Sequence, residues 1–146
     1  MSVPKAARNR AAELRGEIER HNRLYYVEDN PSNVAFMEAL LTSFDAVQLV
    51  VAPNAEIGIE LVRAHRPDLV IMDINLPGMS GFEALGRLRE WPETSSIPVV
   101  ALSAAAMERD VKRAEEAGFA RYLTKPVRVD ELIATLEALL VDRAAR

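Results

Sequence analysis

From residue 24 onward, five short β-branched, apolar runs alternate with five helical patterns at regular spacing, and that alternation leaves few folds open. The runs lie at residues 24–27, 47–51, 69–73, 98–103 and 121–124. Val70-Ile71-Met72 and Val99-Val100-Ala101-Leu102 are almost continuously apolar, as expected of strands covered on both faces in a parallel sheet. Each run is followed by a helix with a readable start or stop. Pro31 suits a first helical turn, with Val34, Met37, Leu40 and Leu41 as its inner stripe. Pro53 opens a second helix, with Ile57, Leu61 and Val62 as its apolar positions, and Ser80 caps a third that carries Phe82, Leu85 and Leu88 and closes before Pro92. A fourth starts near Met107 and ends at Gly118, and a fifth starts at Asp130 with Leu132, Ile133, Leu136, Leu139 and Leu140 inward. Strand and helix repeated five times imply right-handed crossovers and an α/β fold: a doubly wound, parallel, five-stranded (βα)5 sheet. In such sheets functional groups collect at the carboxyl ends of the strands, near the topological switch point.

Composition narrows the function classes. The 146 residues suit one domain with a sizeable core, at 49% apolar and 27% charged. The absence of cysteine excludes disulfides, thiolate metal sites and a cysteine nucleophile. His21 and His65 are too few and too isolated for an ordinary zinc site. No apolar run approaches the roughly 20 residues of a membrane span, and no signal-peptide core opens the chain, so the expectation is a cytoplasmic protein without membrane contact. Residues 1–23 carry six basic and three acidic side chains, whereas the remainder of the chain sits at −7. That charge argues against direct DNA binding by the main body.

The strand ends hold the chemistry. Glu28 and Asp29 follow the first run, and Asp73, Ser103 and Lys125 stand at the ends of the third, fourth and fifth. Carboxylates gathered on one sheet edge repel one another unless a cation sits among them. Oxygen-only ligands select a hard metal, and Mg²⁺ is the natural one for phosphoryl chemistry. Lys125 adds a positive point charge for a phosphoryl oxygen, and Ser103 a hydroxyl donor. Asp73 is then the candidate nucleophile toward phosphorus.

The segments YVEDNPSN, IMDINLPGMSGFEAL, PVVALSA and GFARYLTKPV resemble, in order and character, the receiver domains of two-component response regulators, including receivers fused to hybrid histidine kinases. Asp29 to Asp73 spans 44 residues, with 30 more to Ser103 and 22 more to Lys125. The resemblance covers about residues 24–141 and implies a flavodoxin-like fold. It implies that Asp73 is the phosphoacceptor and that Glu28, Asp29, Asp73 and the backbone carbonyl of Asn75 hold Mg²⁺. Ser103 matches the switch hydroxyl, Ala104 its small neighbour, Lys125 the site lysine, and Pro126 a residue after a cis peptide bond. Tyr122 matches an aromatic whose rotamer reports the active state. The implied function is phosphorelay: Asp73 takes phosphate from a histidine kinase or a histidine phosphotransfer protein. The face of the fourth helix, fifth strand and fifth helix then changes and contacts a downstream protein. Such a domain catalyses its own phosphorylation and dephosphorylation but is a signalling module rather than a metabolic enzyme. The rival within this fold is a pseudo-receiver that uses the same surface without phosphate; such proteins lose an acceptor, an acid or the lysine, and all are present here.

Residues 1–23 fall outside that pattern. Ala7, Ala11, Leu14 and Ile18 recur at helical spacing, so residues 5–20 read as an amphipathic helix. An isolated helix of this length is marginal in water, so the expectation is that it docks on the body, pairs with a second copy in a homodimer, or frays. Residues 142–146 form a short tail. The stretch RAAELRGEIERHNRLYYVEDNP also resembles the start of bacterial NAD-dependent DNA ligases, which implies contacts from His21, Tyr25 and Tyr26 to the nicotinamide mononucleotide half of NAD. That match ends at Pro31, and the adenylation domain with its nucleophilic lysine is absent, so ligase activity is not expected.

Overall fold

The computed structural model describes residues 23–41 and 47–141. The amphipathic helix expected over residues 5–20, His21 and the expected C-terminal tail lie outside these residues.

Five strands form one sheet: β1 (Arg23–Val27), β2 (Gln48–Ala52), β3 (Leu69–Asp73), β4 (Val99–Ser103) and β5 (Arg121–Thr124). All pair in parallel, in the order β2-β1-β3-β4-β5. The order reverses between β1 and β3, so the switch point falls where Glu28 and Asp73 end their strands. Helices α1 (Pro31–Leu41), α2 (Ala55–His65), α3 (Gly81–Glu90), α4 (Glu108–Ala117) and α5 (Val129–Leu136) follow the strands in turn. The last of them continues as a single π turn over Glu137–Val141.

Alternate strand residues face opposite cores. Tyr25, Val27, Val70, Met72, Val99 and Ala101 pack with α2, α3 and α4 on one side. Leu24, Tyr26, Ile71, Val100 and Leu102 pack with Met37 and Leu41 of α1 and Leu132 and Leu136 of α5 on the other. β3 and β4 are buried along their whole length, which is why their sequences lack a polar alternation.

Several boundaries move relative to the sequence reading. β1 gains Arg23, whose N–H donates to Asp68 Oδ2 at 3.0 Å while its carbonyl accepts from the Asp68 N–H. β2 slides forward by one residue, because its register with β1 pairs Arg23 with Gln48 and Val27 with Ala52. α2 is capped by the Asn54 side chain, which accepts from the Ile57 N–H at 2.8 Å, and not opened at Pro53. Ala55, Gly58, Ile59 and Val62 are buried, whereas Ile57, one of the apolar positions of the sequence reading, is 41% exposed. Ser80 caps α3 as expected, accepting from the Glu83 N–H, and Gly118 ends α4 in the left-handed region at φ 107°. α5 begins one residue early, at Val129.

Candidate phosphoacceptor and metal site

The parallel register brings the carboxyl ends of β1, β3, β4 and β5 to one edge, and with them Glu28, Asp29, Asp73, Ser103 and Lys125. Glu28, Asp73 and Ser103 are buried, while Asp29 is exposed. Carboxylate oxygens of Glu28, Asp29 and Asp73 all lie within 4.8 Å of one another. Lys125 Nζ sits 2.5 Å from Asp73 Oδ2 and 3.5 Å from Glu28 Oε1. Asp73 Oδ1 accepts from the Asn75 N–H at 2.9 Å, so both its oxygens are held. Glu28 Oε1 accepts from Asn33 Nδ2 at 2.6 Å. The other oxygen, Oε2, is buried without a hydrogen-bond partner.

The electrostatics follow from that crowding. Burial pushes the Glu28 carboxyl above the usual carboxylate range, and the neighbouring Asp73 adds to the shift; Asn33 and Lys125 oppose it. For Lys125, burial acts to lower the pKa, but Asp73 and Glu28 outweigh it and hold the ammonium above its ordinary value. Three carboxylates against one ammonium leave an uncompensated negative charge, and one buried carboxylate oxygen is unsatisfied. An all-oxygen donor set in that condition fits a hard divalent cation.

Ser103 Oγ accepts from the Ala105 N–H at 3.1 Å and from Asn75 Nδ2 at 3.4 Å. The Ala105 carbonyl in turn accepts from the half-buried Tyr122 hydroxyl at 2.5 Å. Ala104 is exposed, and the Lys125–Pro126 peptide is cis. Gly78 adopts φ 81°, the conformation the acceptor loop needs at its turn. A Cβ on Gly81 would stand 2.9 Å from Ile74 Cα and 3.1 Å from the Asp73 carbonyl, so only glycine lets α3 approach the end of β3 this closely.

Three contacts were not legible in the sequence. Asn33 orients Glu28 from the first turn of α1, and the only signal was a polar residue a helical turn beyond the acidic pair. Glu56 accepts from the Met79 N–H at 3.3 Å, tying α2 to the acceptor loop. His65, which the sequence sets aside as too isolated for a metal site, shares a 2.7 Å hydrogen bond with the Tyr25 hydroxyl through its Nδ1.

A parallel (βα)5 sheet with clustered acids and a lysine at its switch point defines a receiver-type signalling domain. The chain belongs to that family: the response regulator receiver domain matches residues 24–137. Protein PilH of Pseudomonas aeruginosa is 36% identical over 118 residues, covering 81% of this chain and 97% of its own. The polar-differentiation response regulator DivK of Brucella anthropi is 36% identical, covering 80% and 94%. Among solved structures, the receiver domain of the P. aeruginosa sensor histidine kinase PA1611, with magnesium coordinated in its active-site cleft, superposes with a TM-score of 0.75. It is 28% identical, with 83% of this chain and 98% of that one covered. The receiver domain of the Saccharomyces cerevisiae response regulator Ssk1, crystallised with the histidine phosphotransfer protein Ypd1, gives 0.78 at 25% identity, covering 85% and 92%. The protein is thus a response regulator receiver domain of two-component signalling and not a classical enzyme.

The ligase resemblance finds no support among these relatives. Tyr25 and Tyr26 are residues of β1 with 2% and 1% exposure, packed into opposite cores. The YYV run is the first strand of the receiver rather than a nucleotide-contact segment. Among the described residues, no helix is long and apolar enough to cross a membrane.

Proposed function

We propose that Asp73 accepts a phosphoryl group from a phosphohistidine on a histidine kinase or histidine phosphotransfer protein, in a Mg²⁺-dependent reaction. The observation that carries this reading is the cluster of Glu28, Asp29 and Asp73 with Lys125 on Asp73 Oδ2. Glu28, Asp29, Asp73 and the Asn75 carbonyl are the residues to hold the ion, which supplies charge neutralisation for the phosphoryl oxygens. The Asn75 N–H and Lys125 orient the Asp73 carboxylate before reaction, so little reorganisation is needed at the moment of attack. In the transfer, an Asp73 oxygen forms the new O–P bond as the donor's P–N bond breaks, and the imidazole leaves with that electron pair and takes up a proton. Lys125 and the Ser103 hydroxyl then serve the phosphoryl oxygens. Water attack at phosphorus breaks the O–P bond, returning the carboxylate and releasing inorganic phosphate, which is the built-in dephosphorylation.

The added charge is read through Ser103 and Tyr122 at the face of α4, β5 and α5, which contacts a downstream protein. Residues 24–141 form the working unit, with 1–23 as an extension and 142–146 as a tail, and the work is done in the cytoplasm. The test is intact-protein mass after incubation with acetyl phosphate, with and without Mg²⁺, for the wild type and Asp73→Asn. A Mg²⁺-dependent gain of one phosphoryl group that the variant lacks is the expected result. No gain in folded, Mg²⁺-binding wild type, followed by failure with phosphohistidine donors, would sink the reading in favour of a phosphate-independent interaction module.

A further inference from the structure

Ser103 is 2% exposed, so water does little to satisfy its hydroxyl. A serine hydroxyl has two acceptor lone pairs and a single proton to donate. Here both lone pairs are used: the Ala105 N–H approaches at 3.1 Å and Asn75 Nδ2 at 3.4 Å. Among the described residues no acceptor takes the hydroxyl proton. The proton is thereby left for something that the protein does not itself supply. Ser103 and Asn75 both line a cavity of about 80 Å3, together with Ala105, Tyr122, Asp110 and Arg113.

We infer that the Asn75 side chain is a positioning residue that sets the polarity of Ser103: by filling a lone pair, it fixes the hydroxyl as a donor toward a phosphoryl oxygen on Asp73. This deepens the proposed function and rests on it. The backbone of Asn75 and its side chain then have separate tasks. Its N–H orients Asp73 Oδ1, while its amide group orients Ser103 from the other side of the site. Ala105 joins the same array, since its N–H fills the second lone pair and its carbonyl anchors Tyr122. The sign is specific. A carboxylate at residue 75 offers an acceptor where the amide offered a donor, and it captures the Ser103 proton. An alanine merely removes one donor and leaves the Ala105 N–H in place.

The experiment is a double-mutant comparison on the full chain with saturating Mg²⁺, using beryllofluoride as the phosphoryl probe and fluorine NMR to measure its affinity. Asn75→Asp and Asn75→Ala are compared in the wild-type and Ser103→Ala backgrounds. Repulsion between the introduced carboxylate and the probe acts in both backgrounds and cancels. The expected result is that Asn75→Asp costs about tenfold more than Asn75→Ala when Ser103 is present, the size of one hydrogen bond to a charged acceptor, and that this excess vanishes in Ser103→Ala. An equal difference between the two substitutions in both backgrounds, with the wild type binding the probe, would overturn the inference and leave the proposed function standing. No binding by folded, Mg²⁺-loaded wild type would instead overturn the proposed function, and this inference with it.

Discussion

Replacing Glu28 with Gln separates what the carboxylate costs the fold from what it does for a cation. The substitution keeps the shape and leaves an amide oxygen for the Asn33 side chain. Asp73 lies no more than 4.8 Å away and Lys125 at 3.5 Å, so at an effective dielectric near 20 the repulsion is at least about 3.5 kcal/mol and the attraction about 5 kcal/mol. Exposed Asp29 adds a screened repulsion of about 1 kcal/mol, so the Coulomb terms leave Glu28 little or no net attraction. What remains is the burial of a charged group with one unsatisfied oxygen, which costs on the order of several kcal/mol before relaxation. Part of that cost persists for an amide, so the expected gain from Glu28→Gln in EDTA is about 1–2 kcal/mol, or roughly 3–8 °C in Tm for a domain of this size. Mg²⁺ works against the variant. At a hundredfold excess over Kd it stabilises the wild type by about 2.7 kcal/mol, and a tenfold weaker variant gains about 1.4 kcal/mol less. Thermal melts in EDTA and across a Mg²⁺ titration should therefore show the variant ahead without metal and the gap closing as Mg²⁺ rises. A variant less stable than wild type in EDTA, with an unchanged Mg²⁺ gain, would refute the reasoning. It would mean that Asn33 and Lys125 already hold the ionised Glu28 favourably.

Gly81→Ala forces a Cβ against the backbone of Ile74 and Asp73, so it should cost about 1–3 kcal/mol in a urea melt and slow acetyl-phosphate labelling of Asp73. Normal values for both would mean that α3 can retreat freely from the acceptor strand. Burial, with Glu28 and Asp73 nearby, holds the Tyr26 phenol well above its ordinary pKa. The folded protein then keeps that proton to higher pH than the unfolded chain, so stability is intact below pH 10 and falls as pH rises beyond it. Tyr26→Phe should flatten this decline in urea melts between neutral pH and about pH 11, and an unchanged slope would count against it. Thr94→Val removes a fully buried hydroxyl that donates to the Leu88 carbonyl at 2.6 Å near the end of α3. A loss of about 1–2 kcal/mol with unaltered phosphorylation is expected; slower labelling would show that this turn reaches the site.

The acids and the lysine were legible in the sequence because they break local rules for a purpose. Carboxylates at the ends of apolar strands are poor choices for a core, and three of them aimed at one edge make sense only with a cation. The strand runs were legible for the opposite reason: burial on both faces leaves no polar alternation to blur them. What stayed hidden depends on rotation and register. Ile57 and Ile59 are the same residue type two positions apart, yet Ile59 packs in the core with Ala55 and Val62 while Ile57 is exposed. Tyr25 and Tyr26 match a ligand-contact pair letter for letter, yet strand geometry sends them to opposite cores, where Tyr25 meets His65 and Tyr26 packs near α1 and α5. Hydrogen-bond direction is harder still. A donor at Asn75 facing Ser103 depends on a loop that places residues 28 positions apart within 3.4 Å, and no periodicity encodes that. The charges that define the class of site can thus be read along the chain, while the polar contacts that orient them emerge only when the loops after the strands come together.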